Sequence, residues 1–298
     1  MSNSAVIEEH AVDLAWSLWT ELGIPGVRRR HASVVVDPEP LLVATPELAR
    51  IDQRLQEEVL RWWGAHADRL SVSRVAGLAA MLSPGPRERF TAFSERRGRG
   101  ANPTRRAARA VAAVRERSSA RLPVERPSLL RLRMRALCGV GARADVLTSL
   151  LLGRPQWASA SQLATSGYSK RTVARILTEL ADAGVAVRRA DGNALRFRIA
   201  DPESLSLIVV DGGMTEPDWP RVFAVLSELL ELARLGDKSP QVMRVAAHSA
   251  RESIAATCAQ LDWEPPPATR GVPSAWDDVL AWGAETLGRL AAGPDAAT

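Results

Sequence analysis

Cysteine is scarce: the 298 residues contain two, Cys138 and Cys258. They lie far apart, with no neighbouring Cys and no His at ligand spacing, so neither a disulfide framework nor a zinc site is expected. Scarce cysteine fits a reducing compartment. The four histidines, His10, His31, His66 and His248, are scattered. Long apolar runs are missing as well, and without about eighteen consecutive apolar residues no transmembrane helix is expected. The polar, acidic stretch from Met1 to Glu9 does not read as a signal peptide. There is no phosphate-cradling Gly-Lys loop, no His-Glu-x-x-His pair and no Gly-x-Ser-x-Gly elbow. Gly139 and Gly141 follow no strand signal and have no acidic residue placed to hold a ribose. Asp277-Asp278 sits at a helix start, where it complements the macrodipole. The chain is therefore not expected to be an enzyme, and no cofactor or metal is expected.

What is present suits a folded chain. The hydrophobic fraction is 46%, which excludes a wholly disordered polypeptide. The length suits two or three domains with a real core. Nine Trp stand against one Tyr and four Phe, and most of the Trp fall in helical apolar patterns, as core residues do. Arg and Ala dominate while Lys is rare, the usage of high-GC bacterial genes.

The formal net charge of +5 is unevenly spread. Pro84–Arg143 holds 16 Arg against 4 Glu, and Ala144–Ile199 has 8 basic and 4 acidic residues. The first 83 residues have 8 basic and 11 acidic; the last 99 have 7 and 15. A basic middle between acidic ends points to a polyanionic partner for the middle. The competing reading is that those arginines pair with the acidic ends.

Apolar spacing predicts a helix over 5–22, stopped by Gly23, Pro25 and Gly26. Ser33–Val36 is a β-branched strand candidate ended by Asp37-Pro38. Residues 39–63 read as one helix with the stripe Leu55, Val59, Trp62 and Trp63, and 70–82 as another. Pro84-Gly85-Pro86 reads as a break and 95–104 as an exposed loop. Around that loop Arg96, Arg97, Arg99, Arg105, Arg106 and Arg109 cluster, suited to follow a nucleic-acid backbone or to dock on the acidic tail. In the lead-in SLLRLRMRALCG, Arg131, Arg133 and Arg135 alternate with Leu130, Leu132 and Met134, yet Leu, Arg and Met favour helix. This lead-in is expected to add affinity for the polyanion. Helices are predicted over 219–235, 241–261 and 274–292, with Pro265-Pro266-Pro267 as a rigid spacer.

The central segment divides into sharper elements. Ala142–Leu152 reads as a helix with Val146, Leu147, Leu150 and Leu151 inward, ended by Gly153 and Pro155. Ser159 and Gln162 fit a capping box that starts a second helix over 160–165. Ser166-Gly167-Tyr168 reads as a tight turn. Ser169 caps a third helix whose apolar positions, Val173, Ile176, Leu177, Leu180 and Ala181, share one face. Gly184 stops it. Val185 and Val187 begin a strand, Asp191-Gly192 signals a hairpin, and Leu195, Phe197 and Ile199 alternate with Arg196 and Arg198.

Helix, short helix, turn, amphipathic helix and basic hairpin, in that order, are the elements of a winged helix-turn-helix. The expected fold class is mainly α: a winged helix-turn-helix domain at 142–200, flanked by helical regions. These are an N-terminal domain at 1–83, a basic linker and lead-in at 84–141, and an acidic C-terminal region at 201–298. In such a domain the third helix enters the major groove and its first half reaches base edges. Arg171, Arg175 and Thr178 lie opposite its apolar stripe, flanked by Lys170, with Ser169 and Thr172 at its first turn. Arg188, Arg189, Asn193 and Arg196 would lay the hairpin along the backbone or minor groove. On this reading Arg171 and Arg175 touch bases, while Lys170 and the hairpin arginines touch phosphates. The competing local reading makes Arg175 and Glu179 an ordinary i,i+4 surface pair.

The stretch GYSKRTVARILTELADAGVAVRR resembles the winged-helix domains of the MarR and ArsR type, over about 60 of the 298 residues. Upstream, RMRALCGVGARADVL resembles the lead-in of winged-helix proteins encoded beside nucleotidyltransferase-type genes in bacteria. DPEPLLVATPELARIDQRLQEEVLRWW resembles the N-terminal part of uncharacterised bacterial proteins of the same layout. The resemblance implies a cytoplasmic, nucleoid-associated regulator of transcription that binds double-stranded DNA, as a homodimer on two-fold sites. The alternative is an antitoxin-like subunit that uses the same domain to hold a protein partner.

Overall fold

A computed structural model describes residues 2–26, 29–99, 122–153, 156–164, 168–203, 214–236, 238–267 and 272–294. The chain is mainly helical, with one small three-stranded antiparallel sheet. Its buried apolar side chains fall into two clusters, and these define two bodies.

The first body joins both ends of the sequence. Helix α1 (Asn3–Glu21) is capped by Ser2, whose hydroxyl accepts from the Ala5 amide. It buries Ile7, Ala11, Leu14 and Leu18 along one stripe, the 3.6-residue repeat of an amphipathic helix. Gly23 ends it with φ +96°, a left-handed turn that favours glycine. Helix α2 (Pro38–Leu48) is buried at every position, since it lies against α1, α3 (Gln53–His66), α4 (Val72–Met81), α5 (Pro84–Arg99) and α10 (Trp219–Ala233). Helices α11 (Pro240–Leu261) and α12 (Val272–Ala292) complete this body, with α12 laid along α1. The N-terminal and C-terminal helical regions, which flank the centre in sequence, share one core.

The second body holds α6 (Leu130–Cys138), α7 (Ala142–Leu152), α8 (Ala160–Leu163) and α9 (Lys170–Asp182) with strands β1 (Ala158–Ser159), β2 (Ala186–Asp191) and β3 (Ala194–Ile199). The strand order is β1-β3-β2. Pairing of Ala186 with Ile199 and of Arg188 with Phe197 puts Ala186, Phe197 and Ile199 on the inner face against Val173, Ile176, Leu177 and Leu180 of α9. Leu130 and Met134 of α6 join this core, so the lead-in helix belongs to it.

Several elements differ from the sequence-based expectation. Ser33–Val36 forms no strand; Val34 makes one isolated parallel bridge with Thr215. The helix expected over 39–63 is two, because Asp52 caps α3 by accepting from the Arg54 amide at 2.9 Å. Pro84 opens α5 instead of breaking the chain, proline being well tolerated in a first turn, and α5 continues through 95–99. The turn at Ser166-Gly167, the helix end at Pro155 and the cluster residues Arg105, Arg106 and Arg109 lie outside the described residues. Among the described residues no helix is long and apolar enough to cross a membrane.

A charged seam, closed to solvent, joins the two bodies. Arg135 grips Asp145 with two bonds of 2.9 Å and Glu39 with bonds of 2.5 and 3.1 Å. Arg74 donates to Asp37 and, at 2.8 Å, to Glu39. Arg131 meets Glu216 and lies 3.1 Å from Asp145. Burial on its own would push the Asp37 carboxyl up, but the guanidiniums of Arg74 and Arg131 outweigh it and hold the group well below the usual carboxylate range. Asp145 is depressed in the same way by Arg131 and Arg135. Burial opposes the charge on Arg135 as well, and Glu39 and Asp145 overcome that opposition, raising its pKa. Charges taken out of water persist only when paired this closely.

Candidate nucleic-acid interface

The site is built on α9. Ser169 starts the helix by accepting from the Thr172 amide at 3.2 Å, and its hydroxyl also bonds that of Thr172 at 2.9 Å. Both hydroxyls are thus engaged in the cap. The capping box at Ser159 and Gln162 is present and starts α8. With the apolar stripe of α9 turned inward, Lys170, Arg171 and Arg175 are exposed. Lys170 and Arg171 have no ion-pair partner among the described residues. Arg175 does: it pairs with Glu179 one turn on, and Glu179 also takes Arg143 from the start of α7. Thr178 turns its hydroxyl back to the Ala174 carbonyl at 3.0 Å. The exposed cationic edge of α9 therefore narrows to its first turn.

The hairpin divides its arginines between two faces. Arg189, Arg196 and Arg198 share the outer face, since Arg189 pairs with Arg196 and Val187 with Arg198. There Arg189 and Arg198 stand 4.4 and 5.0 Å from the ring centre of Trp157, within cation–π range. Arg196 donates to Asp191 at 3.0 Å and to Gln162 at 3.2 Å. Arg188, on the opposite face, reaches Asp182 at 3.4 Å. The turn is Gly192-Asn193, with Gly192 at φ +58°. That is the left-handed first position of a type II′ turn, and it leaves Asn193 exposed at the tip.

Tyr168, absent from the sequence-based list, ties this site to the seam. Its hydroxyl donates to Asp145 at 2.8 Å, and burial together with the Asp145 charge raises its pKa. It directly precedes the Ser169 cap, so the entry of α9 is anchored to the carboxylate that Arg135 holds. A lone tyrosine one residue before a capping serine was the available signal.

The arginines upstream are a correction to the expected basic lead-in. Arg131 and Arg135 are in the seam. Arg126 donates to the carbonyls of Thr20 and Glu21 at 2.9 and 2.8 Å, closing the end of α1. Arg133 donates to Val124 at 2.7 Å. Arg89 pairs with Glu47 and, at 3.4 Å, with Glu231. Arg97 lies 4.7 Å from the Trp63 ring. These side chains have partners within the fold, while Arg105, Arg106, Arg109, Arg115, Arg117 and Arg121 of the same run lie outside the described residues. Compared with protein-family models, curated proteins and solved structures, the chain matches none.

Proposed function

We propose that residues 142–199 are a winged helix-turn-helix, that α9 is its recognition helix, and that the protein binds double-stranded DNA as a homodimeric regulator of transcription. The observation that carries this reading is the exposed pair Lys170 and Arg171 at the start of α9, with no acidic partner among the described residues. A helix start offers free amides and the positive end of the macrodipole, so two exposed cations there suit a phosphate or a base edge. The outer-face arginines of the hairpin on the same body support it, with Asn193 at the tip. No cofactor enters this reading, and no catalytic step is assigned to any residue. Two-fold DNA sites favour a dimer.

Fluorescence anisotropy with a pool of random duplexes, followed by selection, tests this. Binding is expected to weaken as salt rises, with a slope near −0.9 per phosphate neutralised. No binding at low salt rejects the reading. A second reading, a subunit that holds a protein partner, draws on Leu137 in the last turn of α6 and Val140 just after it, which are 61% and 39% exposed. Stoichiometric copurification of a partner lost on Leu137→Ser would favour it.

A further inference from the structure

The first body contains a cavity of about 650 Å³ lined by α12, the end of α11 and the crossing of residues 33–36 with 214–219. We propose that this cavity binds a small, flat, uncharged aromatic molecule carrying one hydrogen-bonding group. Its size lies in the range of protein clefts that hold such ligands. Trp219, Trp263 and Trp282 line it with Val34 and Leu290. Two of these indoles have committed their N–H groups, Trp219 to the Val35 carbonyl at 2.7 Å and Trp282 to the Glu264 carbonyl at 3.2 Å. What they offer an occupant is ring surface.

The polar lining is restricted. His31 is held at both ring nitrogens, by Ser17 and by the Leu290 carbonyl, each at 2.8 Å. Thr286 is 5% exposed, and its hydroxyl has no hydrogen-bond partner among the described residues. A buried hydroxyl left unpaired is costly, and folded proteins keep few. The oxygen is covered as it stands, and rotation of the Thr286 side chain would present it to one polar group on an occupant. The charged lining residues, Arg289, Asp262 and Glu264, are all exposed to water, so the enclosed part of the lining offers no counter-charge to an ionic occupant.

The cavity also touches the join between the bodies. The Val35 amide donates to the Thr215 carbonyl at 2.8 Å, and the Thr215 amide to Ser33 at 3.2 Å, while the Val35 side chain sits in the second core. An occupant resting on Val34 and Thr215 therefore presses on the segment that links the cavity to the α9 body. The binding inference itself does not depend on the DNA reading.

The neutral probe N-phenyl-1-naphthylamine, two aromatic units with a single N–H, tests it on the full chain by fluorescence titration. Saturable 1:1 enhancement is expected. Thr215→Trp and Ala292→Trp fill the cavity from its rim and are each expected to weaken binding about tenfold or more, at unchanged circular dichroism. Met81→Gln, in a separate apolar groove, is expected to change nothing. Absence of saturable binding overturns the proposal, as does equal affinity in both folded tryptophan variants. If those variants fail to fold, Thr286→Val decides: a several-fold loss supports the site, and unchanged affinity overturns it.

Discussion

The arginines of α6 and the cations that open α9 carry the same charge and meet opposite surroundings. Arg131 and Arg135 are 2% and 1% exposed and locked between carboxylates from both bodies, whereas Lys170 and Arg171 are exposed with no ion-pair partner among the described residues. Charge density along a sequence therefore does not by itself tell which cations face solvent. Arg131 and Arg135 are taken up by the fold, and Lys170 and Arg171 are left exposed. What separates them is the supply of distant acids. Glu39 and Glu216 reach α6 through the tertiary fold, and among the described residues no acid pairs with Lys170 or Arg171 at the first turn of α9.

The contrast can be broken by substitution. Arg135→Ala strands Glu39 and Asp145 as buried, underpaired carboxylates, and the expected loss is about 3–5 kcal/mol of stability in urea unfolding. Arg171→Ala should stay within about 0.5 kcal/mol in the same assay. Similar losses for the two would erase the distinction.

The seam also fixes the sign of the acid response. Asp37 and Asp145 sit below the ordinary value of 3.8 in the folded chain, so the unfolded chain binds their protons first. Their contribution is present above the ordinary value and is lost as pH falls through the depressed folded values. Urea midpoints should drop steeply on acidification below about pH 4, and Asp145→Asn should flatten that limb.

In DNA binding the order reverses. Arg171→Ala is expected to cost about 1–3 kcal/mol of affinity, read by anisotropy. Arg175→Ala should cost less, because Glu179 already holds that guanidinium. An equal or larger loss at Arg175 would mean the pair opens on binding. Tyr168→Phe links the two regions: losing its bond to Asp145 should lower stability by about 1.5 kcal/mol. It should also weaken DNA binding through the loosened entry of α9, without changing sequence preference. The smallest effect belongs to the surface pair: Arg175→Ala should change folding stability by about 0.2–0.5 kcal/mol.

Local patterns were legible where neighbours decide the outcome. The helical stripe of α9, the Ser159–Gln162 capping box, the hairpin near Gly192 and the three C-terminal helices all rest on residues within a few positions of one another. Ser33–Val36 misled because β-branched residues mark burial as well as pairing, and its backbone partners are scattered at His31, Ser128 and Thr215. The break at Asp52 was hidden by an apolar pattern that continues across it. The fate of Arg131 and Arg135 could not be read at all, since their partners are as distant as Glu39 and Glu216. On α9, sequence reading put Lys170, Arg171 and Arg175 on the exposed face and offered the Arg175–Glu179 pair, but gave no sign that Arg143 shares Glu179.

The packing of α1 along α12 has a consequence in time. The α9 body closes within consecutive residues 130–199, apart from Val35 and Met214, so it can gather while the chain is still being made. The other body cannot: α1 packs against α10 and α12 as well as α2, so its buried stripe is completed only when those distant helices emerge. Long-range closure of this kind is slow, and it leaves apolar surface open in the interval. During synthesis α1 is thus a segment in need of protection until α10 and α12 have both emerged.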